Sequence, residues 1–239
     1  MNVEITGPKV LGYLFGNPNL PITETMRNAW IVMAFILFLC LFLTRRMQKI
    51  PKGKQALAEK AVVMIENLVD NTMGSGCRAF APYIATLLMS SLFGSLASLF
   101  CMRPVTADLN TTLGWALITF VLITYNKIRY GGLKGYLKSF LEPVFVMAPL
   151  NVLSEVATPV SMSFRHFGNM AGGLVISTLI LGALEVLSNS LLGFLPVPLL
   201  QIGLPGILSL YFDCFTACMQ AFIFSMLTMA YVGDARGSS

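Results

Sequence analysis

Arg165 stands in the middle of a strongly apolar stretch, Pro159-Val-Ser-Met-Ser-Phe-Arg-His-Phe-Gly-Asn-Met170, with Glu155 and His166 the other ionisable groups nearby. A guanidinium keeps its proton at any physiological pH. At bilayer depth it is a permanent charge whose cost is roughly 3 to 10 kcal/mol or more. A chain retains such a group where it has a partner or lines a wet path. Asn169 comes four residues later and so shares its helix face. Gly168 and Gly172 lie on an adjoining face, where missing side chains let another helix or a moving partner approach closely. Glu155 precedes Arg165 by ten residues, about 15 Å along a helix, toward the cytoplasmic side; Glu185 follows it by twenty, near the outer surface.

The last apolar segment carries a second polar stripe, in which Asp213, Thr216 or Ala217, and Gln220 recur at helical spacing. Two stripes facing each other make either a hydrated path or a buried polar network. Asn169 and Gln220 would serve equally well as helix-pairing amides. His166 either packs or shuttles protons, since an imidazole titrates near neutral pH. Glu155 and Glu185 either act on the path or sit solvated at headgroup depth. Asp213 has apolar flanks on both sides and no route along which to snorkel.

Helices that hold charges in this way belong in a bilayer, and the composition agrees. Of 239 residues, 56% are hydrophobic and 11% charged, against about 25% charged in a soluble domain. The expected fold class is an all-α integral membrane protein, a single membrane domain over 1–239. About five transmembrane helices and one surface amphipathic helix fit, at about 20 residues per crossing. The net charge of +5 does not mark a nucleic-acid binder, because the basic residues gather in two loops. Arg45, Arg46, Lys49, Lys52, Lys54 and Lys60 form the first; Lys127, Arg129, Lys134 and Lys138 form the second. The positive-inside bias makes both cytoplasmic. The 102–112 connection, with Arg103 against Asp108, then faces out, as does the N-terminus, and the C-terminus is cytoplasmic.

Residues 1–23 read as an irregular outer segment, with Gly16-Asn17-Pro18 and Pro21 as breakers. A first helix covers 24–47. Its apolar run lacks a basic leader and is followed by Arg45-Arg46, which is a stop-transfer pattern and not that of a cleaved signal peptide. Ile50-Pro51 breaks it. From 55 to 72, Ala61, Val62, Ile65, Leu68 and Val69 lie on one side and Glu59, Lys60, Glu66, Asn67 and Asp70 on the other, which predicts a surface-lying amphipathic helix. Helices 3 and 4 occupy 80–128, ending in the second basic loop. A long tilted hairpin of helices 5 and 6 occupies 141–232 and turns at Leu195-Pro-Val-Pro198. Pro143, Pro149 and Pro159 should break or kink its early part.

Soluble-enzyme motifs are absent: no Walker loop, no zinc-protease helix and no nucleophile elbow. One histidine in the chain argues against a His-based metal site or triad. The five cysteines have neither metal nor disulfide spacing, and Cys214 and Cys218 read as packing residues. No catalytic residue, metal or cofactor is expected.

The Pro159–Met170 pattern resembles one family closely, subunit a of the bacterial F-type ATP synthase. Three further segments agree in order and spacing: Ile50-Pro-Lys-Gly-Lys-Gln55, Thr106-Ala-Asp-Leu-Asn-Thr-Thr112 and Gln220-Ala-Phe-Ile-Phe224. The resemblance covers about residues 22 to 231. It implies a non-catalytic stator subunit with no ATP site of its own, in the cell membrane of a bacterium. Its partners would be the c-subunit ring, the peripheral-stalk b subunit and the rest of the synthase. Two half-channels would deliver an ion, read as the proton, to the ring, with Arg165 meeting the ring carboxylates and preventing a short-circuit. Asn169 and Gln220 are similar in place to residues flanking that arginine, Asp213 to an outer access group, and Glu155 to the acidic residue toward the cytoplasmic exit. Many members carry Glu or His five residues after the Asn, where this chain has Leu174, so the outer path would rest on Asp213 with Glu185. The alternative from the residues is a stand-alone transporter or channel, which would need repeats or discontinuous helices that the sequence lacks. A purely structural membrane anchor would leave the intramembrane charges unexplained.

Overall fold

The computed structural model describes residues 8–13, 21–45, 47–49, 51, 53–74, 76–100, 102–141, 147–191, 207 and 210–237. Gly16-Asn17-Pro18, Arg46, Ile50, Lys52, Pro143 and the expected turn at Leu195–Pro198 lie outside them. Six α-helices and one short hairpin make up the described architecture.

The lead-in is not wholly irregular. Strands β1 (Val10–Tyr13) and β2 (Pro21–Thr23) pair antiparallel, Val10 opposite Thr23. Thr23 then caps α1 (Glu24–Thr44), its Oγ1 accepting from the Met26 N–H, with Glu24 in the first turn where the helix dipole favours a carboxylate. Thr25 and Asn28 are buried, whereas Phe38, Leu37 and Leu41 lie about two-thirds exposed, so α1 is a peripheral helix with a bare apolar flank. Phe35 meets Phe93 of α3 edge-on at 5.3 Å.

Helix α2 (Lys54–Met73) stops at Gly74, whose φ of 85° suits glycine and whose N–H reaches the Asp70 carbonyl. Val69 and Met73 enter the core with Ile65 and Leu68 against them, while Leu57, Val62, Val63 and Met64 stay exposed. Val62 thus sits outside the packed face the pattern suggested. A 3-10 turn at Arg78–Phe80 leads into α3 (Ala81–Leu96).

Helix α4 spans Leu109–Leu141 and is interrupted at Gly132, at φ 70° and ψ 158°. The expected second basic loop is therefore helical on both sides of that break. Its buried residues, Thr112, Ala116, Thr119, Ile123 and Asn126, recur at alternating spacings of four and three, one stripe of a helix turned inward. Composition marks four other helical segments as long and apolar enough to cross a membrane: Glu24–Thr44, Arg78–Phe100, Ala148–Ser188 and Asp213–Asp234.

Helix α5 runs from Ala148 to Leu191 without a break, 44 residues or about 66 Å. That is about twice the hydrocarbon thickness, so tilt is required. The prolines do not divide it as expected. Pro149 sits in the first turn, where no intrahelical N–H partner is needed, and Pro159 is carried inside the helix. A six-residue π-helical segment, Leu210–Phe215, leads into α6 (Thr216–Asp234). The core has two centres. One joins Val69, Met73, Ile84, Ile123, Met229 and Val232; the other joins Leu87, Ala116, Met162 and Phe224. At the end of α6, Arg236 donates to Cys77 Sγ at 3.0 Å and lies 4.8 Å from the Tyr130 ring centroid, fastening α6 to the α3 entry and α4.

Candidate functional site

Two faces of α5 have opposite characters within one turn. Met162, Ser163, His166 and Met170 are buried, whereas Phe164, Arg165, Gly168 and Asn169 are exposed. At Gly168 and Gly172 an added Cβ would meet nothing within 4 Å. Arg165 therefore projects from an open, apolar helix face, and none of the ion pairs among the described residues involves it.

Asn169 and Gln220 are brought together. Asn169 Nδ2 donates to Gln220 Oε1 at 2.7 Å, tying the exposed face of α5 to the buried face of α6. Gln220 is 2% exposed. Asp213 lies in the π-helical segment, half-buried, seven residues before Gln220. None of the ion pairs among the described residues joins it to Arg165. Ala217, between Asp213 and Gln220, is fully buried, and Thr216 Oγ1 turns back to the Tyr211 carbonyl, so the expected stripe reduces to Asp213 and Gln220.

His166 points away from Arg165 into the bundle. It is fully buried, its Nε2 3.2 Å from Ser91 Oγ, with Trp115 and Phe224 edge-on at 6.1 and 5.4 Å. Glu155 is paired: Lys127 Nζ donates to its Oε1 at 2.8 Å and the Tyr136 hydroxyl at 3.3 Å. Burial first, then that carboxylate, pushes the Tyr136 phenol above its ordinary range. Lys127 and Tyr136 also line an open cavity of about 420 Å³ with Tyr130, Ser139, Asp234 and Arg236. Glu185 is exposed on α5 and joins none of the ion pairs among the described residues. No cluster of His, Cys, Asp and Glu able to hold a metal occurs among the described residues.

The sequence reading missed a seam of buried hydroxyls. Ser95 meets Thr106 at 2.8 Å, Thr112 meets Ser163 at 3.2 Å, and Tyr83 meets Thr119 at 2.9 Å. With Ser91 on His166 they tie α3 to α4, to α5 and to the short turn Val105–Ala107, and α4 to α5. At the Asp108 end, Thr25 Oγ1 donates to Asp108 at 2.6 Å and Asn28 to the Arg103 carbonyl at 2.9 Å. The signal was present in the four-three spacing on α4 and in Ser91 and Ser95, four apart on α3.

A helical bundle with four candidate membrane spans, whose longest helix carries an exposed arginine one turn from a part-buried amide pair, defines a polytopic membrane protein with a charge on an open helix face. The sequence model of the ATP synthase A chain family matches residues 26–233. The ATP synthase subunit a of Propionigenium modestum, described as sodium ion specific, is 30% identical over 98% of this chain and 87% of its own length. Subunit a 2 of a Bradyrhizobium species is 31% identical over 98% of this chain and 97% of its own. Subunit a 1 of Syntrophotalea carbinolica is 33% identical over 87% and 83%. The chain belongs to the ATP synthase subunit a family, a membrane component of the F-type synthase.

Proposed function

We propose that this subunit translocates protons through two half-channels, from the outer side and the cytoplasmic side, to a rotating ring of c subunits, and that Arg165 separates the two. The observation that carries this reading is the exposure of a permanent cation on an apolar helix face with room for a partner beside it. A charge so placed is costly unless a neighbouring chain supplies the counter-charge. A ring carboxylate fits. It passes Arg165 when ionised and is drawn past by Coulomb attraction. A protonated, neutral carboxyl gains nothing there, so its proton cannot cross directly between the half-channels and travels round with the ring. At about 2.3 kcal/mol per charge per 100 mV, several such steps supply one ATP.

In this reading the Asn169–Gln220 pair holds the arginine's face in register. Asp213 is the protonatable group of the outer path, because Leu174 cannot titrate, with Glu185 toward the outer surface. Glu155, beside the cavity lined by Lys127 and Tyr136, marks the cytoplasmic exit. The orientation follows from the basic residues: N-terminus outside, C-terminus in the cytoplasm of a bacterial cell, and α2 along the inner surface with Leu57, Val62 and Met64 toward lipid. The b subunit of the peripheral stalk would hold the whole against rotation.

The test is proximity. A cysteine at Gly172, where the face is open, is expected to cross-link to a ring subunit in native membranes and to block ATP-driven rotation. Labelling by lipid-side reagents alone, with no ring adduct although the synthase is assembled, would overturn the reading that this face meets the ring.

A further inference from the structure

Two buried polar atoms on the α5/α6 seam have no protein partner among the described residues. His166 is fully buried and uses Nε2 toward Ser91, which leaves Nδ1 unbonded. Gln220 is 2% exposed and uses Oε1 to accept from Asn169, which leaves its Nε2 unbonded. Buried polar atoms are nearly always satisfied, and more so where no bulk water competes. Two neighbouring orphans call for a common partner.

Their neighbourhood follows from the contacts. His166 packs on Phe224 while Asn169 bonds to Gln220, so the two helices run antiparallel and these four residues form one patch. His166 and Asn169 are three apart, and Gln220 and Phe224 are four apart. His166 and Gln220 are thus neighbours within about one helical turn along the seam, close enough for one small molecule to reach both side chains. The chemistry is complementary as well, because a water accepts from the Gln220 Nε2–H and donates to a lone pair on His166 Nδ1. His166 then carries its proton on Nε2 and donates to Ser91 Oγ.

We propose that an ordered water bridges His166 Nδ1 and Gln220 Nε2, making His166 the positioning residue of the Gln220–Asn169 amide pair. Its importance for transport rests on the reading of the Arg165 face given above; the bridge itself does not. Through the water, Ser91 and His166 are connected to Asn169, the residue one turn from Arg165 on the open face. The edge-on rings of Trp115 and Phe224 pack against the imidazole.

Electron cryomicroscopy of the intact synthase, at a resolution that shows waters, is expected to reveal density within hydrogen-bond distance of both atoms. An apolar contact or a direct bond there would overturn the proposal. Function separates positioning from packing. His166→Phe keeps the aromatic volume against Trp115 and Phe224 but has no acceptor, and is expected to slow ATP-driven acidification about fivefold, the worth of one net hydrogen bond. His166→Gln, whose carbonyl oxygen can accept, is expected to recover most of it at equal assembly. A Phe variant that pumps at the wild-type rate would overturn the positioning role even with the water in place. Density at the site in a complex that moves no protons would instead refute the transport reading and leave the bridge standing.

Discussion

Replacing Gln220 with leucine keeps a side chain of similar volume in a site 2% exposed and removes the oxygen that accepts from Asn169 at 2.7 Å. Hydrogen bonds between membrane helices are worth about 0.6 kcal/mol on average and about 1.7 at most. The span from that average to the maximum applies here, since the bond is short and one partner is fully enclosed. If the bond positions Asn169 beside Arg165, losing it slows coupled pumping by about 3- to 18-fold, at 1.36 kcal/mol per decade. Asn169→Leu removes the same bond from the other side and leaves the buried Gln220 oxygen without a donor, so its loss should be at least as large. The assay is ATP-driven acidification of inverted vesicles, normalised to assembled complex, for the wild type, both single variants and the double. The double variant is expected to be no slower than the worse single, giving a coupling energy near the full effect. Losses that multiply would show two residues acting independently, and the bond would have no part in positioning.

Asp213→Asn is expected to slow proton flux severely and Asp213→Glu to keep part of it; normal pumping by the Asn variant in inverted vesicles would move the outer path elsewhere. Gly132 holds φ 70° and ψ 158°, a region open to glycine almost alone. Gly132→Ala should cost about 1 to 3 kcal/mol and lower the thermal midpoint of the assembled subunit, although the added methyl meets nothing within 4 Å. Of the Lys127–Glu155 pair, Glu155 is the more buried, at 13% against 36% exposed. Lys127→Met, which strands the carboxylate, should therefore destabilise more than Glu155→Gln; equal thermal shifts would mean the pair is solvated.

The membrane class was legible from composition because burying so much apolar surface with so few charges leaves a bilayer as the solvent. The shared face of Arg165 and Asn169 was legible from a spacing of four, and both are exposed. Other features depend on tertiary partners. Serine and threonine look alike in an apolar helix whether they face lipid or a neighbour, so the spacing of Ser91 and Ser95 marked a shared face but not their partners, and Ser163 gave no sign of its own. Glu155 finds Lys127 on a different helix, 28 residues away in sequence, which no local pattern encodes. Pro159 reads as a breaker by propensity, yet the flanking packing of Met162 and His166 carries the helix through it. The π-helical segment around Asp213 likewise reflects packing and not a residue signal. Val10-Leu-Gly-Tyr13 was hidden among turn formers, because the strand is defined by its partner at Pro21–Thr23.

Arg165 is tested most directly by measuring two quantities on the same vesicles: ATP-driven acidification with the catalytic head attached, and passive proton permeability after the head is stripped. For Arg165→Ala, acidification should fall to background while passive permeability rises above that of the wild type. Without the fixed charge, a neutral ring carboxyl can move between the half-channels without a full turn. Arg165→Lys should also fail to couple, since an ammonium lacks the planar fork and can lose its proton in a dry site. An Arg165→Ala synthase that acidifies vesicles at a near-normal rate, with no added leak, would contradict the account and leave Arg165 a residue of helix pairing.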